Sequence, residues 1–168
     1  ESFLDEVMGG DQKLVAYLQR LVGYGLTGEV TENLFPFLYG GGKNGKSTFV
    51  ETLFWLMGDY ALKAQAELTM EDRRGGNAES IIAQLHGIRC VVGSEVDAGG
   101  KLAEARLKNI TGADQMTGRA LYCESETFEP QFNLVVCTNN LFEIGSNDDG
   151  TWRRIRKCDY KSKFVDEG

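Results

Sequence analysis

The sequence is short of the residues that build metal centres and disulfide scaffolds. It has one histidine, His86, and four cysteines, Cys90, Cys123, Cys137 and Cys158, with no CxxC pair. Neither a zinc site nor a disulfide framework is expected, and the thiols are read as reduced. No apolar run approaches the roughly 18 residues of a membrane span, and the opening Glu1-Ser2-Phe3-Leu4-Asp5-Glu6 lacks the basic end of a signal peptide. A protein of the cytoplasm, without a membrane segment, is expected. Positive charge is scarce too: 18 Lys and Arg face 25 Asp and Glu, for a net charge of −7. That excludes a general nucleic-acid coat, because phosphate binding draws on cations to release counterions, so any contact with DNA must be local. What is present is a chain of 168 residues, 42% of them hydrophobic and only two of them proline, enough for one compact domain with a proper core.

Residues 1–33 read as a helical segment, with Leu14, Val15, Leu18, Leu21 and Val22 at helical spacing and Gly23 and Gly25 as breakers near its end. The run Leu34 to Tyr39 reads as a strand, weakened locally by Pro36. Lys46 to Met57 fits a helix closed by Gly58. The stretch from there to Gly76 carries no clear pattern. A helix over Ala78 to Leu85 follows, then a buried strand Ile88 to Gly93, a helix Leu102 to Ile110, two short strands around a turn between Met116 and Phe132, a strand Phe132 to Cys137, and a last strand Ile155 to Tyr160. Gly75-Gly76 and Gly99-Gly100 mark loops. Strands alternating with helices predict an α/β fold with a mainly parallel central sheet covered on both faces.

Between the first strand and its helix lies Gly40-Gly41-Gly42-Lys43-Asn44-Gly45-Lys46-Ser47-Thr48, the GxxxxGK[ST] pattern in the context that gives it meaning. Glycines let the backbone curl so that its N–H groups face phosphate, and the helix N-terminus adds positive partial charge. Lys46 is then placed to reach the β- and γ-phosphates of ATP, and the Ser47 hydroxyl to hold Mg²⁺. Hydrolysis needs further groups. Glu95 and Asn139 each follow an apolar strand, at the edge where open α/β sheets bind ligands. Arg153 and Arg154 follow Trp152, in a late basic run with Arg156, Lys157, Lys161 and Lys163; on charge alone such a run is a solvated surface.

In order and spacing these motifs resemble superfamily 3 helicases, above all the C-terminal motor domain of phage and plasmid primase-helicases related to the poxvirus primase-helicase. The resemblance spans nearly the whole chain: Gly9-Gly10-Asp11, Leu21-Val22-Gly23-Tyr24, Asn44 to Thr48, Leu56 to Tyr60, Ser94-Glu95, Leu107 to Asp114, Cys137-Thr138-Asn139 and Trp152-Arg153-Arg154. It implies a P-loop NTPase of AAA+ type, residues 34–168 being its core and the whole a fragment of a longer chain that carries a primase domain in some relatives. It also implies a homo-oligomeric ring, usually a hexamer, that hydrolyses ATP and translocates on single-stranded DNA in a phage- or plasmid-infected bacterial cell. Lys46 and Ser47 take the Walker A roles and Glu95 that of Walker B, orienting water and serving Mg²⁺. Asn139 is the sensor. Arg154 is the preferred arginine finger toward a neighbouring subunit's ATP, with Arg153 the alternative.

The resemblance further assigns the segment between Gly112 and Pro130 to a β-hairpin in the ring channel, with Arg119 and Tyr122 gripping DNA by phosphate pairing and base stacking. Here the chain departs from its relatives. Cys123 and Glu129 stand where lysines are common, with Glu124 and Glu126 nearby, and Ser94 replaces an acid that serves the Mg²⁺ shell, for which Asp97 is a weaker substitute. Two other readings remain open: a nucleotide-gated assembly module that recruits replication proteins without unwinding DNA, and a small-molecule kinase.

Overall fold

The computed structural model describes residues 2–65, 68–71, 78–93, 98–145 and 147–165. Its elements run α1 (Ser2–Val7), α2 (Gln12–Thr27), β1 (Phe35–Tyr39), α3 (Lys46–Met57), a 3₁₀ turn (Gly58–Tyr60), β2 (Ala61–Ala64), α4 (Ala78–Ala83), β3 (Cys90–Gly93), α5 (Glu104–Ile110), β4 (Met116–Gly118), β5 (Glu126–Phe128), β6 (Asn133–Thr138), α6 (Asp149–Trp152) and β7 (Ile155–Asp159). Five strands form one sheet in the order β2-β3-β6-β1-β7, every pairing parallel. The α/β fold with a parallel sheet and helices on its faces is the one the sequence predicts.

Parallel strands are covered on both faces, so their side chains divide between two cores. Phe35, Phe37, Val91, Leu134 and Val136 enter one core with Leu107 and Ile110 of α5 and Phe128 of β5. Leu38, Cys90, Val92 and Val135 enter the other, against Val15, Leu18 and Leu21 of α2 and Phe49, Leu53 and Met57 of α3. Burial in the apolar second core pushes the thiols of Cys90 and Cys158 up to about 11, which keeps both protonated and inert.

Several local expectations change. Gly23 and Gly25 do not break α2: the helix continues to Thr27 and ends at Gly28, whose φ of 73° is a left-handed cap. Arg89 completes that end by donating to the Thr27 carbonyl at 3.0 Å. The break in the N-terminal segment comes earlier, where Asp11 caps α2 by accepting from the N–H groups of Lys13 and Leu14 at 3.0 and 3.1 Å. Pro36 sits in a central strand at no cost to the ladder. Phe35 N–H bonds to the carbonyl of Arg154, just before β7, which turns position 36 to the other side, where the register with β6 begins only at Phe37. The patternless stretch after Gly58 contains β2, a half-exposed edge strand.

The hairpin exists. β4 and β5 pair antiparallel, Met116 opposite Phe128 and Gly118 opposite Glu126. It rests on α4, with Arg119 N–H bonded to the Glu79 carbonyl at 3.1 Å and His86 stacked on Phe128 at 5.0 Å.

Candidate functional site

At the C-terminal edge of the sheet, β1 runs directly into the glycine-rich loop and α3 starts at Lys46. Gly45 is the N-terminal cap of α3, with φ of 83°, and a Cβ there would lie 2.6 Å from Val7 Cγ2 of α1. Only glycine meets both demands. The loop is therefore seated on α1 as well as hung between β1 and α3.

Lys46 is only 7% exposed. Its ammonium donates to the Gly40 carbonyl, to Asn44 Oδ1 at 3.3 Å and to Asn139 Oδ1 at 2.9 Å. Lys46 and Asn139, both singled out in the sequence, thus meet although 93 positions separate them. Asn44 is a strut: its amide reaches the Tyr160 carbonyl at 3.4 Å, and the Tyr160 N–H continues the β7–β1 ladder to Tyr39. Burial, with Cys137 and Cys158 nearby, pushes the Tyr160 phenol well up.

The loop opens on a cavity of about 790 Å³. Gly42 to Thr48 form its floor, Asn139 and Gly93 stand where β6 and β3 end, and Glu51, Phe54 and Lys63 close the far side. Gly40 and Gly41 lie outside that lining. Ser47 and Thr48 are exposed on the first turn of α3, with N–H groups free of the i→i−4 ladder and aimed into the space. Glu51, Phe54 and Lys63 escaped the sequence reading. Glu51 was legible as the position one helical turn after Ser47, whereas Lys63 needed β2 to be recognised. Glu95, together with Ser94 and Asp97, lies outside the described residues, as do Gly75 and Gly76; β3 delivers the chain to them at Gly93.

The two arginines part company. Arg154, the preferred finger, is buried at 8% exposure. Its guanidinium donates to Thr111 Oγ1 at 3.1 Å, the Gly150 carbonyl at 2.6 Å and Asn33 Oδ1 at 3.3 Å. A side chain so engaged within its own chain is not displayed to a neighbour. Arg153 is exposed. Both precede β7, whose far end, Asp159, pairs with Tyr39 at the threshold of the loop. About 16 Å of strand intervenes, at ~3.3 Å per residue, too far for either to act on the loop of its own chain.

The hairpin tip lifts Leu121 and Tyr122 clear of the molecule, at 71% and 102% exposure. Arg119 turns back instead, its Nε donating to the Cys123 carbonyl at 3.0 Å, so it braces the tip. Tyr122 adopts φ of 64°, an uncommon conformation for a bulky residue that this brace helps to hold.

Residues 38–154, from β1 through Arg154, match a family described as a family of unknown function, DUF5906. The chain belongs to that family. Among sequence relatives, the mimivirus protein named "Putative helicase L207/L206" is 36% identical over 92% of the chain and 16% of its own length. "Putative helicase 022R" of Frog virus 3 is 36% identical over 79% and 14%. "Putative primase C962R" of African swine fever virus is 30% identical over 90% and 16%. The chain thus spans about a sixth of these relatives' length. A solved structure described as the A form apo structure of NrS-1 C terminal region superposes with a TM-score of 0.71 at 13% identity, over 95% of the chain and 37% of that one; at that identity the fold is what is shared. Homologues of this family member are therefore named as helicases or primases of large DNA viruses. Among the described residues, no helix is long and apolar enough to cross a membrane.

Proposed function

We propose that this chain is the ATP-hydrolysing motor of a DNA helicase that serves viral DNA replication, of the P-loop AAA+ type and the superfamily 3 kind, working at the subunit interfaces of a ring that moves on single-stranded DNA. The observation that carries the reading is the meeting of Lys46 with Asn139 above a loop of GxxxxGKS sequence. A buried ammonium whose partners include the neutral oxygens of Gly40, Asn44 and Asn139 is placed to exchange them for the charged oxygens of a phosphate. When a triphosphate enters, its β- and γ-oxygens replace Gly40 O, Asn44 and Asn139 around Lys46. Asn139 is then released to hold the attacking water or the γ-phosphate.

Ser47 offers a hard oxygen at the cavity wall, the kind of ligand that Mg²⁺ takes beside phosphate and water. There Mg²⁺ would supply positive charge against the charge that develops at phosphoryl transfer. Ser47 would hold it and Glu95 would orient the water. In the neighbouring subunit's site the exposed Arg153, rather than Arg154, would supply the finger. Tyr122 supplies the stacking surface for DNA bases.

ATP turnover measured with and without single-stranded DNA, across concentrations that span ring assembly, tests the reading. DNA-stimulated turnover that Glu95→Gln abolishes is expected. The acids Glu124 and Glu126 on the hairpin favour one rival, a nucleotide-gated assembly module. Turnover in an assembled ring without any response to DNA would establish that rival and remove translocation.

A further inference from the structure

The chain has two tryptophans, and both are on its surface. Trp55, near the end of α3, is 85% exposed, and Trp152, at the end of α6, is 49% exposed. Tryptophan is among the side chains that gain most from burial. Leu56 and Tyr60 beside Trp55 are exposed as well. Glu51 stands one helical turn before Trp55 and Asp59 four residues after it, on the turn that closes the helix, and both are exposed. Among the described residues neither carboxylate takes part in an ion pair. A large apolar cluster with a charged rim marks an interaction face, and the acids of this rim ask for cations.

The complement is carried by the same chain. Residues 152–163 hold six Lys and Arg against one acid, Asp159, in a chain of net charge −7. Arg154 is held in its buried clasp, and Lys157 pairs with Asp159 at 2.7 Å, which leaves Arg153 and Arg156 at the start of β7. Arg156 donates to the Arg153 and Ile155 carbonyls at 2.7 and 2.9 Å, so its guanidinium is folded back toward Trp152 and Arg153. Charges on an edge strand by themselves only keep a further strand from adding to it; that task does not need an exposed tryptophan next to them.

The two faces cannot meet within one chain. β2 and β7 are the outer strands of the sheet, four steps or about 19 Å apart at ~4.8 Å per strand. α3 runs from the loop after β1 to the turn that leads into β2, and the Tyr60 carbonyl of that turn accepts from Arg89 N–H at 2.8 Å, just before β3. Trp55 therefore lies toward the β2 end and Trp152 at the β7 end. Complementary faces at opposite ends pair copies head to tail, a contact that repeats and closes into a ring where the rotation allows.

We infer that the face of α3 bearing Glu51, Trp55 and Asp59 docks a second copy of this chain, whose Arg156 lies over the Trp55 ring between the two carboxylates and whose Trp152 covers Leu56 and Tyr60. A guanidinium stacked on an indole keeps its N–H donors in plane for the flanking acids. This rests on the ring reading above and names the surfaces that make its contact; since Glu51 also lines the loop cavity, the docked copy's Arg153 arrives at the rim of that cavity.

Sedimentation velocity over a range of chain concentrations, without nucleotide, tests the docking face, and ATP turnover of the same samples is read separately. Self-association is expected, and Trp55→Ala, Arg156→Glu and Asp59→Arg each raise its dissociation constant at least about tenfold. Mixing Arg156→Glu chains with Asp59→Arg chains restores association, because every contact in the mixture can join opposite charges; a variant that merely misfolds is not rescued in this way. A chain that stays monomeric up to about 1 mM, association indifferent to the three substitutions, or a mixture that stays apart would overturn the docking face, and DNA-stimulated turnover in those samples would leave the motor standing. Association that obeys the substitutions in a chain that turns over no ATP would keep the docking face and remove the motor.

Discussion

Asn139 accepts a hydrogen bond from Lys46 at 2.9 Å, and this contact joins the end of β6 to the start of α3 across the mouth of the cavity. In the proposed cycle it exists only without nucleotide. Asn139→Ala therefore frees Lys46 of a competitor but removes a group that acts at the γ-phosphate. ATP affinity is expected to hold or improve, with turnover reduced about 100-fold. Loss of affinity together with unchanged turnover per bound ATP would contradict that division of labour.

Arg153 and Arg154 are adjacent and opposite in role. Arg154→Ala strips a buried cation from Thr111, Gly150 and Asn33 and is expected to cost about 2–4 kcal/mol of stability, read by denaturant unfolding. Arg153→Ala leaves stability unchanged, because the side chain is exposed, yet removes turnover in the assembled ring. Mixing Arg153→Ala subunits with Lys46→Ala subunits restores part of it, since each mixed interface can be whole.

At Gly45, a Cβ meets both the left-handed backbone and Val7. Gly45→Ala should destabilise by about 1–3 kcal/mol. Val7→Ala introduced on top recovers part of the steric loss, and the double-mutant cycle measures how firmly α1 seats the loop.

Tyr122 stands free at the hairpin tip. Tyr122→Ala is expected to leave the melting temperature within error and to weaken single-stranded DNA binding by about 1–3 kcal/mol. Arg119→Ala should act differently, loosening the tip by removing its bond to the Cys123 carbonyl. Fluorescence anisotropy with a labelled oligonucleotide compares the two.

Asp148 caps α6 through Thr151 N–H at 2.9 Å and meets Lys108 Nζ at 2.5 Å. The bond from Lys108 leads in holding its carboxyl down at about 2, helped by bonds from Thr151 and Gly150. A carboxyl lowered on folding adds stability above its unfolded value, and that stability fades as pH falls through the folded value. Asp148→Ala should therefore lower the melting temperature at pH 7, and the difference from the native chain should shrink between about pH 4 and pH 2.

The parts of this site that a linear reading finds are those written locally. The loop from Gly40 to Thr48 carries its own pattern, and Asn139 is visible because it ends an unbroken apolar strand whose place in a parallel sheet is fixed by its neighbours. Arg154 misled because burial of an arginine depends on acceptors supplied by Asn33, Thr111 and Gly150, which no spacing rule connects. β2 was hidden because Ala61-Leu62-Lys63-Ala64 is a short edge strand with neither alternation nor an apolar run. Gly23 and Gly25 look like helix breakers, yet α2 runs through both to Thr27 because Val15, Leu18 and Leu21 bury one face of it.

The clasp around Arg154 also has a mechanical side. It ties the turn that bears Arg153 to Thr111, the last residue before the segment that climbs into the hairpin. In the proposed ring, a push on Arg153 from an adjoining subunit would reach the root of the hairpin through that one guanidinium. Thr111 would then be the pivot of a lever with a charged handle at one end and an aromatic fingertip, Tyr122, at the other.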